Sequence, residues 1–272
     1  MNRGAPELLF MCGAVSQYLG AVVAVGLFEE LSPGATGWLR VLGAAAIIVV
    51  LRRTWRRRFD RSTLFDAAKF GVALAAMNLA FYLAIDELPL GNAVAIEFLG
   101  PLAVAAFGTR TLRAGGALML AVVGVVILAG VEAEGTVRGV SFALLAAVFW
   151  AMYIVLGHRV ARSPAAIDGL GLGMLVGAIA ISPFGVPDVT AALGTPWLLA
   201  LGLATGLLSN VVPYGIDQLV MQQVDQRRFA LLQALLPVTA TLIGLIFLVQ
   251  VPSLRDLTGI TLVIVSIALS RS

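Results

Sequence analysis

Residues 77–107, MNLAFYLAIDELPLGNAVAIEFLGPLAVAAF, contain the pattern that decides the fold. Two apolar runs flank the acidic pair Asp86 and Glu87. When the runs are followed outward, each is about as long as the roughly 20 residues that a helix needs to cross a bilayer. The second run carries Glu97 in its interior, where an unpaired charge would be strongly disfavoured by lipid. We therefore predict two membrane helices joined by a short turn, with Glu97 facing other helices.

The composition extends this pattern to the whole chain. Of 272 residues, 60% are hydrophobic and 12% are charged, against about 25% charged in an average soluble domain. So little polar surface cannot cover a water-soluble globule, so the fold class is an all-α polytopic membrane protein. Apolar windows predict ten transmembrane helices, near residues 7–27, 33–51, 67–86, 89–109, 112–131, 139–157, 164–184, 196–220, 228–249 and 254–270.

The arginines predict the orientation of these helices. With the N-terminus in the cytoplasm, 15 basic residues fall on the cytoplasmic side, and only Arg138 and Arg255 fall on the other. Such a bias over short loops predicts an N-in, C-in protein with an even number of spans. The basic cluster RRTWRRRF at 52–59 is interpreted as an orientation anchor.

Several kinds of chemistry are excluded by what the chain lacks. One Cys and one His, His158, cannot build a disulfide framework or a Cys/His metal cluster, and no activated nucleophile is recognisable. We therefore expect no enzyme activity, no metal and no cofactor, and we expect His158 to be an interfacial residue. The net charge of +3 reflects membrane orientation and does not predict nucleic-acid binding. The expected partners are the lipid bilayer and a small molecule, and a monomer is compatible with the sequence.

The two halves of the chain resemble each other at an offset of 136 residues. This offset places residues 93–104 over 229–240, Pro101 over Pro237 and Glu97 over Gln233. Five helices per half is an odd number, so the second copy would enter the membrane in the opposite sense. The sequence thus predicts two inverted five-helix repeats, at 1–131 and 139–270, with a solute path between them near the bilayer midplane. Helix kinks are predicted at Pro101, Pro237 and Pro213.

Glycines recur at every fourth residue in the seventh and eighth predicted helices. Small residues at this spacing allow helix backbones to approach closely, so we interpret them as packing positions. They are Gly169, Gly173, Gly177, Gly202 and Gly206.

Two opposite charges lie at matched depth inside predicted helices. Arg40 is seven residues from the outer end of the second helix, and Glu97 is eight residues from the outer end of the fourth. At about 1.5 Å per residue both lie roughly 10–12 Å deep. They form either a structural ion pair or the two poles of a site for a zwitterion. Asp217, late in the eighth helix, is a candidate for gating or coupling, with solvation at a helix end as the alternative.

Polar and aromatic residues share faces of the predicted helices around these charges. Such faces suit an amphiphilic organic solute, although interhelical hydrogen bonding explains any single one of them. Gln17 and Asn210 belong to these faces. The residues predicted to bind substrate are Asn78, Tyr82, Glu97, Trp150, Tyr153, Tyr214, Arg40 and Gln233.

The stretch 77–107 resembles the threonine/homoserine exporters of the EamA-type branch of the drug/metabolite transporter superfamily. The resemblance continues through WAMYIVLGHR (150–159), VPYGIDQLVM (212–221) and FALLQALLPVTATLIGLIFL (229–248). It implies a ten-helix transporter of the cell inner membrane, working by alternating access. Glu97 would match the acidic residue of an EFxGP motif. Asp217 would match the acidic residue after Pro-Tyr, and Arg40 the arginine of the second helix.

The chain departs from those exporters at two places. Leu236 stands where they have Glu before the proline, and Val249-Gln250 stands where they have Gly-Glu. Without these carboxylates an inherited proton-coupling scheme does not transfer, and the plausible substrates widen. The expected function is export of neutral amino acids of the threonine/homoserine kind, aromatic ones included, and of related metabolites. The alternative is transport of another small metabolite, such as a sugar or a nucleotide-linked anion.

Overall fold

Every regular element in the described part of the chain is a helix. The computed structural model describes residues 5–107, 112–129, 134–163, 165–189 and 193–270. Within these ranges six segments are long and apolar enough to cross a membrane. They are Leu8–Leu27, Pro33–Arg52, Arg61–Ile85, Val137–Ala161, Ala166–Asp188 and Pro196–Met221. The protein is therefore an all-helical polytopic membrane protein.

Thirteen α-helices, numbered in chain order within the described ranges, form the bundle. The first seven are α1 (Ala5–Leu27), α2 (Pro33–Arg52), α3 (Arg61–Ile85), α4 (Leu90–Glu97), α5 (Leu99–Ala106), α6 (Leu112–Ala129) and α7 (Glu134–Ala161). The others are α8 (Ala166–Gly185), α9 (Pro196–Gly206), α10 (Val212–Met221), α11 (Gln226–Leu232), α12 (Leu236–Phe247) and α13 (Leu254–Ser270).

Most observed helices agree with the predicted apolar windows to within a few residues. The main differences are at α3, which begins six residues before the predicted residue 67, and at α7, which extends beyond 139–157 at both ends. Hydropathy finds only the part of a helix that lipid surrounds, whereas backbone hydrogen bonding continues through polar residues at the membrane surface.

Three predicted spans are interrupted, and each interruption precedes a proline. The span at 89–109 is split into α4 and α5 at Phe98, three residues before Pro101. The span at 196–220 contains a π-helical segment, Leu207–Val211, before Pro213. The span at 228–249 contains a 3-10 turn, Gln233–Leu235, before Pro237. The cause is the missing N–H of proline, which leaves the carbonyl four residues earlier without its helical donor.

Glycines bring α3 and α8 into backbone contact. A methyl group placed on Gly71 would overlap the carbonyl oxygen of Gly173, and one placed on Gly173 would lie 2.7 Å from the carbonyl oxygen of Ala67. Gly177 meets the backbone of Gly71 in the same way. This contact is the close helix approach that the glycine spacing predicts for Gly173 and Gly177.

The helices α2 and α9 pack by the same principle. A methyl group on Gly43 would lie 2.5 Å from the carbonyl oxygen of Leu203, and one on Gly202 would lie 2.6 Å from Cδ1 of Leu39. Gly206 packs against the backbone of Arg40. This contact fixes the level at which the Arg40 side chain leaves α2.

A buried carboxylate ties the arginine-rich end of α2 to α8. Asp168 is fully buried, and its Oδ1 accepts a hydrogen bond of 3.1 Å from the Thr54 hydroxyl. Its Oδ2 lies 3.2 Å from Nη2 of Arg52 and 3.3 Å from Nη1 of Arg57. Two residues of the basic cluster therefore hold a structural contact besides any role in orientation.

The α3–α8 contact predicts a stability difference between two glycine variants. Gly71→Ala should destabilise the protein by about 1–3 kcal/mol because the added methyl overlaps the backbone, which cannot move aside without separating the helices. Gly26→Ala is the matched control, since nothing lies within 4 Å of a methyl group there. Apparent melting temperatures of the two variants in detergent measure the difference. Equal stability would contradict the close backbone contact.

Candidate functional site

A small polar cavity lies between helices from both halves of the chain. Its volume is about 20 Å³, which is room for about one water molecule. Pockets that bind organic ligands are typically about 300–1,000 Å³, so the helices must separate before such a solute can enter. Eleven residues line it: Gln17, Arg40, Met77, Asn78, Phe81, Glu97, Trp150, Tyr214, Asp217, Gln233 and Leu236.

The structure brings together most of the residues that the sequence predicts to bind substrate. Of the eight, six line the cavity, namely Asn78, Glu97, Trp150, Tyr214, Arg40 and Gln233. The other two lie one layer behind it. The Tyr82 ring centroid is 4.9 Å from Cζ of Arg40, and the Tyr153 hydroxyl donates a 2.8 Å hydrogen bond to Oδ2 of Asp217.

Arg40 is held by the helical segment that precedes Pro213. Its Nε donates a 2.6 Å hydrogen bond to Oδ1 of Asn210, and its Nη2 donates a 2.9 Å bond to the carbonyl of Ser209. Pro213 cannot donate to that carbonyl, which is four residues before it, so the guanidinium supplies the missing donor. Nη1 is buried and has no hydrogen-bond partner.

Glu97 lines the cavity with Arg40 but does not bond to it. Both side chains are buried, with 5% and 1% of their surface exposed, and they are close enough to interact electrostatically. The ion pairs within 4.0 Å in the described ranges all join other residues. The predicted alternative of a direct structural ion pair between Arg40 and Glu97 is therefore wrong for this conformation. Each of the two charged groups can still bind another partner.

Asp217 is buried at the cavity wall. Only 6% of its surface is exposed, so the alternative that it is simply solvated near a helix end is wrong. Tyr153 donates to its carboxylate, and the Tyr153 ring lies 5.3 Å from the Tyr214 ring, centroid to centroid. The Tyr214 hydroxyl in turn lies 3.4 Å from Oδ1 of Asn78, to which it donates. Polar groups of α3, α7 and α10 are thus linked along one side of the cavity.

The offset of 136 residues relates residues that face each other across the cavity. Asn78 and Tyr214, which share a hydrogen bond, are separated by 136 positions. The cavity-lining residues Phe81 and Asp217 differ by the same number, as do Glu97 and Gln233. A cavity on a pseudo-twofold axis would be lined by such equivalent pairs, because each copy of the repeat contributes the same positions.

Sequence reasoning misses part of the cavity wall and the contacts made by two buried residues. Met77, Phe81 and Leu236 line the cavity although no polar signal marks them. Asn210 is recognisable as a polar residue within a span, but its role as the partner of Arg40 depends on a contact across 170 positions. His158, predicted at the interfacial end of the sixth predicted helix, lies in the last turn of α7 and is buried there, with Nδ1 2.9 Å from the carbonyl of Ile154.

Comparisons with known proteins connect this arrangement to transporters. Residues 137–272 match the model of the EamA-like transporter family. The threonine/homoserine exporter RhtA of Salmonella typhimurium (strain LT2) is 34% identical over 261 residues, covering 94% of this chain and 85% of that protein. RhtA of Escherichia coli (strain K12) is 33% identical over 249 residues, covering 89% and 83%.

A solved crystal structure shows that the fold is shared as well. It aligns with a TM-score of 0.66 at 22% identity, over 99% of this chain and 98% of the other. The family model matches half of the chain, and relatives are about one third identical along most of it. These two findings together identify the family. The chain belongs to the EamA-like transporter family.

Proposed function

We propose that this protein exports neutral amino acids across the cell inner (plasma) membrane by alternating access. The substrates are of the threonine/homoserine kind, aromatic amino acids and related metabolites included. The exporters named above support this proposal, because the similarity extends over most of both chains. The substrate is the only partner proposed besides the bilayer.

One observation carries the proposal: in the central cavity the buried cation Arg40 and the buried anion Glu97 do not pair with each other. Arg40 has a free Nη1 donor, and in the described ranges the Glu97 carboxylate has no hydrogen-bond or ion-pair partner. An amino acid supplies the two missing partners in one molecule. Its carboxylate would meet Arg40, and its ammonium group would meet Glu97.

The remaining walls suit the side chain of the solute. Trp150, Tyr214 and Phe81 offer aromatic surface, and the amides of Asn78 and Gln233 offer hydrogen bonds to a hydroxyl. Tyr82 and Tyr153 act from behind, by supporting Arg40 and Asp217. Asp217 is assigned a gating or coupling role, because it is the second buried carboxylate of the same cavity.

We further propose ten transmembrane helices in two inverted repeats, 1–131 and 139–270, with both termini in the cytoplasm. The equivalent residue pairs around the cavity support the repeat. So does the packing of the broken helices: α4 lies against α12 and α5 against α11. The boundary near 131 and the charges Arg3, Arg110, Glu132 and Arg271 lie outside the described residues, so the orientation rests on the sequence.

The alternative cargo, a sugar or a nucleotide-linked anion, is less well supported. Phosphate groups are commonly recognised by several cationic side chains. Arg40 is the sole basic residue lining the described cavity, and the two carboxylates there would repel a polyanion.

Transport itself is the first prediction. Proteoliposomes containing the purified protein should take up threonine, homoserine or aromatic amino acids faster than liposomes without protein. A panel of radiolabelled amino acids, measured with and without a pH gradient, also shows whether flux is coupled to protons. Absence of flux for every amino acid in the panel would refute the proposed substrate class.

Glu97→Gln tests the ammonium end of the site. The variant keeps the shape of the side chain but removes its charge, so the affinity for a neutral amino acid should fall about 10- to 100-fold. N-acetylthreonine lacks the ammonium group, and the preference of the wild type for threonine over this compound should shrink in the variant. Glu30→Gln, at an exposed position, is the control. An unchanged preference in Glu97→Gln would contradict the role of Glu97.

The proposed topology predicts the position of the C-terminus. A C-terminal green fluorescent protein fusion should fluoresce, and a C-terminal alkaline phosphatase fusion should be inactive, because both report a cytoplasmic location. The reverse result would overturn the N-in, C-in arrangement with an even number of spans.

A further inference from the structure

Asn210 and the π-helical segment before Pro213 fix the direction of the Arg40 guanidinium. Two of its three nitrogens are bonded, Nε to Asn210 and Nη2 to the Ser209 carbonyl. The Tyr82 ring covers the guanidinium at 4.9 Å. These contacts leave Nη1 as the one nitrogen without a partner. The guanidinium is therefore a directed donor and not a mobile charge.

Further buried donors without a hydrogen-bond partner lie on Asn210 and on α1, which contacts the π-helical segment. Nη1 of Arg40, Nδ2 of Asn210 and the hydroxyl of Tyr18 are all buried without a hydrogen bond. Their residues are 1%, 0% and 0% exposed. Asn210 is bonded to Arg40, and Tyr18 follows Gln17, whose carbonyl accepts a 2.9 Å hydrogen bond from the hydroxyl of Ser209 in the π-helical segment. Buried donors are almost always paired in native proteins, so these donors point to an acceptor that is part of the working cycle.

The chemistry of that acceptor follows from the donors. Three donors beside one positive charge match a carboxylate, whose two oxygens offer about four lone-pair sites. In the described ranges the cavity carboxylates do not fill this role, since Glu97 forms no ion pair with Arg40 within 4.0 Å and Asp217 accepts from Tyr153. A carboxylate of the solute is the acceptor that also supplies the charge opposite to Arg40.

We propose that Arg40, Asn210 and Tyr18 form a carboxylate subsite built on the π-helical segment, so that a free carboxylate is obligatory in the transported solute. This inference rests on the proposed function and adds to it a requirement and two residues. Asn210 is a positioning residue, because it acts through Arg40, and Tyr18 adds a direct donor. Esters, amides and amines that lack a carboxylate are excluded as substrates.

Substrate discrimination in proteoliposomes tests the subsite. The wild type should transport threonine at least about tenfold better than threoninamide, which keeps the ammonium group and loses the carboxylate. Asn210→Asp keeps an acceptor for the hydrogen bond from Nε of Arg40 but places a negative charge against the guanidinium. This variant should lose about tenfold or more in affinity for threonine, and its preference over threoninamide should collapse. Tyr18→Phe, which removes only the hydroxyl, should reduce the same preference severalfold.

Gln218→Leu is the matched control. Gln218 is fully buried on α10, its two amide atoms have no partner, and it makes no hydrogen bond to Arg40, whose side-chain partners are Asn210 and Ser209. Removing its amide should leave the preference for threonine over threoninamide unchanged, whereas a general effect of buried polar groups would alter it. Melting temperatures of all variants in detergent identify any variant that fails to fold. Asn210→Asp is expected to fold, because Asp has nearly the same volume as the native Asn.

The outcomes separate this inference from the function on which it rests. If the wild type transports threonine and Asn210→Asp keeps the full preference over threoninamide, the subsite is refuted and the exporter function stands. If no amino acid is transported, the function fails. The subsite is then decided by binding, because N-acetylthreonine should stabilise the wild type thermally and not Asn210→Asp. Equal transport of threonine and threoninamide by the wild type would overturn the carboxylate requirement directly.

Discussion

The structure depends on one constraint: inside a bilayer, a backbone carbonyl that loses its helical donor must find another within the protein. Prolines create such carbonyls on four helical stretches of the described residues, before Pro101, Pro183, Pro213 and Pro237. At Pro237 the Gln233 carbonyl finds a donor within the same helix, because the 3-10 turn lets the Leu236 N–H donate to it. At Pro213 the replacement hydrogen-bond donors come from other helices. Arg40 donates to the Ser209 carbonyl, and the Ser16 hydroxyl donates to the preceding carbonyl of Leu208. The helix break and the placement of the cation are thus one feature.

This link explains what the sequence could and could not predict. The apolar windows, the prolines and the depths of Arg40 and Glu97 follow from local rules, since hydropathy, the missing N–H and the helical rise all act within one segment. The partners do not follow, because Arg40 meets Asn210 across 170 positions. Opposite charge and equal depth left an ion pair with Glu97 open as one of two alternatives. The contacts of Arg40 are decided instead by the π-helical segment on another helix, which no local sequence pattern encodes.

The apolar cavity walls escape sequence reasoning for a related reason. Phe81 and Leu236 look like any other lipid-facing residue in an apolar sequence, and only the packing of several helices gives them a face toward polar groups. The offset of 136 does mark Phe81, because its equivalent is Asp217. In a chain with an internal repeat, a polar residue in one half thus identifies an apolar candidate in the other half, and the amino-acid sequence itself carries this signal.

The two halves are unequal where polarity matters most. At the offset of 136 residues, Glu97 aligns with the amide of Gln233, and Arg40 aligns with Val176, which is 37% exposed. A strictly symmetric cavity would carry like charges on both sides of its axis, and these would repel each other in a medium of low dielectric constant. Because only one member of each aligned pair is charged, the cavity has, among the described residues, a single cation, Arg40, and a single unpaired anion, Glu97. The cavity then has a direction, as a zwitterionic solute requires, and under the proposed inverted repeat its two halves would still open it alternately to either side.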